Sequence, residues 1–99
     1  VKLKPSIYRI GWDLSTPTFT NDSFILEKGN ILYLFTDGFY DQFEPVNRKK
    51  FSLARLKEIL LSGKDLSAIE MHGVLDRKFT DWKGNYEQID DVLVVGISI

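Results

Sequence analysis

Two groups of acids stand out in this sequence for their type and spacing. In "ILYLFTDGFYDQF" (residues 31–43) an apolar run ends in Asp37 and Gly38, with Asp41 four residues beyond Asp37. Near the other end, "DDVLVVGISI" begins with Asp90 and Asp91 and continues as an apolar run. The first pair closes an apolar stretch and the second opens one. If the two stretches are antiparallel neighbours, the end of one sits beside the start of the other, ~4.8 Å away. Two carboxylates ~4 Å apart repel by about 4 kcal/mol at an effective dielectric near 20. Such a cluster either raises a pKa or holds a cation. Hard oxygen donors of this kind suit Mg²⁺ or Mn²⁺. The plainer alternative is also open, because Asp-Gly is a common turn and Asp-Asp a common lead into a strand.

The elements that must carry these acids follow from apolar periodicity. Ile31 to Thr36 reads as a strand covered on both faces, since it has almost no polar position. Phe24 to Leu26, with Glu27-Lys28-Gly29-Asn30 between, reads as the other arm of a hairpin, because Gly29 and Asn30 tolerate positive φ. Ser52 can cap a helix whose stripe is Leu53, Leu56, Ile59 and Leu60, and Gly63 ends it. "SAIE" (residues 67–70) fits a capping box for a second helix. The apolar positions of this helix are Leu66, Ile69, Leu75, Phe79 and Trp82, and Gly84 stops it. Val92 to Val95 reads as a central, covered strand at the C-terminus. "SIYRIGWDLSTPTFTND" reads as loop, with one short strand near Ile7 to Ile10.

The expected fold is α+β, an antiparallel sheet with two helices packed on one face. The other face wants a cover that this sequence does not supply. That feature and the absence of an initial methionine both suggest a portion of a longer protein, or one that dimerises.

Composition narrows the function classes. Ninety-nine residues, 43% hydrophobic and 27% charged, make one globular domain. The net charge is −1, and Arg48-Lys49-Lys50 is the only basic run, too short to argue for nucleic acid or membrane. With no cysteine there is no disulfide, thiolate site or cysteine nucleophile. No apolar run approaches the ~20 residues that span a bilayer, and the N-terminus lacks a signal-peptide core. Cytoplasmic is the default expectation. His72 has no metal-spaced partner and reads as a surface or packing residue. Ser6, Ser15 and Ser23 have no His-Asp partners that would make a nucleophile. The aromatics Tyr40 and Tyr86, near the two acidic groups, read mainly as packing.

"LEKGNILYLFTDGFYDQFE", "KKFSLARLKEILL" and "WKGNYEQIDDVLVVGI" together resemble the C-terminal half of the metal-dependent (PPM-type) serine/threonine protein phosphatases, closest to the bacterial SpoIIE-like branch. The resemblance covers nearly the whole chain and rests on Thr36-Asp37-Gly38 with Asp90-Asp91. It implies a sandwich of two antiparallel sheets flanked by helices, of which residues 1–99 are one C-terminal portion. It implies Asp37 and Asp90 as metal ligands, with Gly38 and Asp91 lining the site. Two Mn²⁺ or Mg²⁺ ions are expected in the complete domain. Asp41 either joins an additional, weaker metal site or is a solvated loop acid. The implied reaction is hydrolysis of phosphoserine or phosphothreonine on a regulatory protein in bacterial signal transduction, such as an anti-sigma-factor antagonist. An upstream sensor or regulatory domain is implied as well. The sequence departs from the family pattern in lacking the Asp-Gly and His-Gly motifs of an N-terminal half, so the chain alone is expected to be inactive. The competing expectation is a non-catalytic module for protein interaction or dimerisation.

Overall fold

The computed structural model describes residues 21–23 and 25–99. The short strand expected near residues 7–10 lies outside the described residues. Strand β1 (Ile31–Phe35) is followed by helices α1 (Leu53–Ser62) and α2 (Ala68–Lys83) and then strand β2 (Val94–Ser98). The two strands pair antiparallel, with Ile31 opposite Ser98 and Phe35 opposite Val94. The architecture is the expected α+β.

Both helices begin and end where their caps dictate. The Ser52 hydroxyl accepts the Arg55 N–H at the start of α1, and the Gly63 N–H closes the helix onto the Ile59 carbonyl. At α2 the capping box is complete. Ser67 Oγ accepts the Glu70 N–H at 3.2 Å, and the Glu70 carboxylate accepts the Ser67 N–H at 3.1 Å. These bonds hold the Glu70 carboxyl below the usual carboxylate range, against a small opposing effect of burial. Ser52 takes φ 86°, a left-handed value that costs a non-glycine residue about 1–3 kcal/mol. Two backbone bonds hold that corner, Ser52 N–H to the Tyr40 carbonyl and Phe51 N–H to the Gln42 carbonyl, both 2.9 Å.

The core lies between the helices and the turn that follows β1. Phe39, Phe51, Leu56, Met71 and Leu75 are buried, and Phe35, Phe79, Trp82, Val92 and Val94 pack against them. Phe39 meets Phe51 edge-on at 5.3 Å and Phe79 at 5.2 Å with the rings tilted by 50°, and Phe51 meets Trp82 edge-on at 5.4 Å. Such aromatic contacts add about 0.5–1.5 kcal/mol each beyond the area they bury.

Three expectations are corrected. The hairpin turn exists, with the Asn30 N–H bonded to the Glu27 carbonyl and Gly29 at φ 96°. Its first arm is not found among the described residues: Phe24 lies outside them, residues 25–27 form no strand, and β1 pairs with β2. The Gly29 N–H bonds the Ile99 carbonyl, so the turn caps the end of the β1–β2 ladder. Second, each strand, taken singly, reads as covered on both faces, but among the described residues only one face is covered. This agrees with the expectation that the sheet's other face wants a cover the sequence does not supply. Leu34, Leu93, Val95, Ile97 and Ile99 are exposed. Third, Ile69, expected on the apolar stripe of the second helix, is 86% exposed, whereas the buried residues of α2 are Met71 and Leu75.

Candidate active site at the end of the sheet

Thr36 is the first residue beyond β1, and three hydrogen bonds lace it to the approach to β2. Its N–H donates to the Leu93 carbonyl, its hydroxyl donates to the Asp91 carbonyl, and the Leu93 N–H donates to the same hydroxyl, all at 3.0 Å. A valine here would keep the strand shape and lose the two side-chain bonds. Gly38 then passes directly against the second segment. A Cβ at this position would collide with the Asp91 carbonyl and press on that of Asp90. Only glycine permits that approach. The backbone carrying Asp37 therefore runs beside the backbone carrying Asp90 and Asp91, as the antiparallel expectation requires.

The chain next makes a single helical turn, the Asp41 N–H bonding the Asp37 carbonyl at 2.9 Å. Tyr40 sits within that turn, its ring edge-on to Phe35 at 6.1 Å. Burial, then the negative charges of Asp37 and Asp41, push its phenol above the usual range. Asp41 is half-buried, and its Oδ1 lies 3.5 Å from Lys50 Nζ. The same ammonium is 5.9 Å from the centre of the Phe43 ring.

Lys50 reaches Asp41 because residues 43–50 form a braced loop. Phe43 and Lys50 bridge antiparallel, and the Glu44 carboxylate accepts the N–H groups of Val46, Asn47 and Lys49. Burial works to raise the Glu44 pKa, but those three bonds and the charge of Lys49 outweigh it and keep the carboxyl low.

On the opposite segment, Asp90 Oδ1 accepts the Asp91 N–H at 2.7 Å, and Gln88 Nε2 donates to the Asp90 carbonyl at 2.9 Å. Asp37, Asp90 and Asp91 are all exposed. Among the described residues no three His, Cys, Asp or Glu side chains form a group that could hold a metal ion. What converges is two acid-bearing backbones, with Gly38 making room between them. Exposed carboxylates on a rigid mount fit a hard divalent cation, and most of its octahedral shell is left to water and other donors. His72 is exposed on α2, in line with a surface role.

Sequence reasoning named Thr36 within the Thr36-Asp37-Gly38 motif without giving its hydroxyl a role, and missed two further residues here. Lys50 lay in a recognised basic run without a recognised partner. Gln42 gave no local signal.

The family described as Stage II sporulation protein E (SpoIIE) matches residues 2–99. No curated protein matches the chain. Among solved structures, the SiaA-PP2C domain of Pseudomonas aeruginosa is similar with a TM-score of 0.71 and 24% sequence identity. The match covers 75% of this chain and 30% of that one. At this identity it shows the fold alone, which is that of the PP2C-type phosphatases. That family is generally one of metal-dependent protein phosphatases. With the sequence family matched over nearly every residue and the fold matched separately, the chain belongs to the SpoIIE family and shares the fold of the SiaA-PP2C domain.

Proposed function

We propose that this chain carries part of the site of a metal-dependent protein serine/threonine phosphatase, with Asp37 and Asp90 as ligands for Mn²⁺ or Mg²⁺. The observation that carries the reading is the close passage of Gly38 over the carbonyls of Asp90 and Asp91, which sets the two acids on adjoining backbones. Thr36 fixes the register between them, and the turn 37–41 carries Asp41 alongside. Asp91 and Gly38 line the site. Such ions, when bound, supply positive charge against the negative charge that develops as a phosphate ester is hydrolysed. The carboxylates hold hard cations by oxygen and need no cysteine.

The substrate is a phosphoserine or phosphothreonine on a regulatory protein, an anti-sigma-factor antagonist being one such, and the setting is bacterial cytoplasmic signalling below a sensor domain. The chain spans 30% of the similar SiaA domain chain, so this activity belongs to a longer protein. No helix among the described residues is long and apolar enough to cross a membrane. A second reading, a non-catalytic module that binds a protein partner or a second copy of itself, draws on the exposed apolar face of the sheet.

Titration calorimetry with MnCl₂ and MgCl₂ on the chain, on Asp37→Asn and on Asp90→Asn tests the first reading. Binding that is lost in both variants is the expected result. Equal behaviour of all three proteins removes the two acids from the role and favours the interaction module.

A further inference from the structure

Gln42 follows directly on Asp41 and is the only buried polar side chain among the described residues, with 0% exposure. An enclosed carboxamide costs free energy unless both its ends are bonded. Here one end is. Nε2 donates to the Glu87 carbonyl at 2.9 Å and to the Phe43 carbonyl at 3.1 Å. Oε1 is buried and has no donor among the described residues. A half-satisfied carboxamide does less for stability than an apolar side chain of the same length would, so packing does not account for it.

Its connections account for it better. The Gln42 backbone carbonyl accepts Trp82 Nε1–H at 2.8 Å and the Phe51 N–H at 2.9 Å, which pins the residue to the end of α2 and the entrance to α1. From that anchored position Nε2 reaches across to residue 87. Residues 87–91 are thus tied at both ends, by Gln42 at Glu87 and by Thr36 at Asp91, and Asp90 lies between the ties. Without the first tie, the segment bearing Asp90 keeps Thr36 at one end but at the other loses its bond to the buried Gln42, leaving the Lys83–Tyr86 bonds and the packing of Tyr86 on Phe43.

We infer that Gln42 is a positioning residue, whose buried Nε2 holds the Glu87 carbonyl so that Asp90 stays beside Asp37. The inference rests on the reading of Asp37 and Asp90 as metal ligands. It differs from a packing role in a measurable way, because Gln42→Met keeps length and volume and removes only the hydrogen bonds.

The test is Mn²⁺ affinity by calorimetry for the chain, Gln42→Met and the reference Asp37→Asn, with circular dichroism to confirm helix content. Removing a group that orients a metal ligand typically weakens binding about 10–100-fold, and that loss with unchanged helix content is the expected result. Wild-type affinity in Gln42→Met overturns the inference. If Gln42→Met does not fold, Gln42→Asn, which keeps the carboxamide but falls one methylene short of Glu87, is read the same way. If the wild-type chain binds Mn²⁺ no better than Asp37→Asn, the metal reading fails on its own account. Amide hydrogen exchange at residues 88–91 then decides. Exchange about tenfold faster or more in the variant, with α1 unchanged, supports the positioning role; unchanged exchange ends it.

Discussion

Leu34 and Phe35 are neighbours on one strand in opposite surroundings. Phe35 packs against the core beside Val94, whereas Leu34 is 55% exposed. The alternation of a strand carries this contrast along both partners. Ile31, Tyr33 and Phe35 share a face with Ser98, Gly96 and Val94, and Leu32 and Leu34 share the other with Ile97 and Val95. The open row is the more uniformly apolar of the two. The packed row includes Gly96, whose missing side chain leaves room for the Tyr33 ring. Apolar composition therefore marks a surface that packs well without saying what packs there. Position relative to the turn 37–41 and to α2 decides which row the described residues cover.

The largest expected effect tests the packed side. Phe39 is 2% exposed and touches both Phe51 and Phe79, so Phe39→Ala should cost about 3–5 kcal/mol in urea denaturation. A cost under about 1 kcal/mol would mean that this side is not the stabilising one. Next is Thr36, in the same alternate row as Leu34 but bonded through its hydroxyl. Thr36→Val should lose about 1–3 kcal/mol, because the Leu93 N–H and the Asp91 carbonyl both lose a partner.

A smaller effect concerns α2, part of the cover of the packed row. The folded pKa of Glu70 lies below its unfolded value, so its contribution is present above the unfolded pKa and lost as pH falls through the folded one. Between pH 7 and pH 3 the wild-type chain should lose more stability than Glu70→Gln does. Equal losses would detach the capping box from the packed side. The smallest effect tests the open side, where Leu34→Ala should change stability by no more than about 0.5 kcal/mol. A cost of about 2 kcal/mol or more would show this row buried in solution and erase the contrast.

How legible these features were depended on how local their causes are. Both helices could be read because Ser52, Ser67, Gly63 and Gly84 act within one turn of their own positions. The capping box of Ser67 and Glu70 was likewise visible. The first hairpin arm was misread because the residues around Gly29 carry genuine turn chemistry, while the partner that pairs with β1 among the described residues is the C-terminal strand. The adjacency of Asp37 to Asp90 was available from strand order alone. The Thr36 latch, the Lys50–Asp41 pair and the burial of Gln42 are set by contacts between distant segments, which leave no periodic trace. A glutamine after an aspartate reads as loop until Trp82 and Glu87 close around it.

The pairing of Phe35 with Val94 has a kinetic consequence. Everything from Thr36 to Leu93, including both helices, lies inside the loop that this pairing closes. Closing so long a loop costs entropy before the ladder returns any stability, and non-local pairing of this kind is slow. The helices, with their local caps, can form early, whereas the two acid-bearing segments meet only when the chain's far ends do. A partly folded chain would hold its helices and still lack the juxtaposition of Asp37 with Asp90, so cation binding at that pair would arise late in folding.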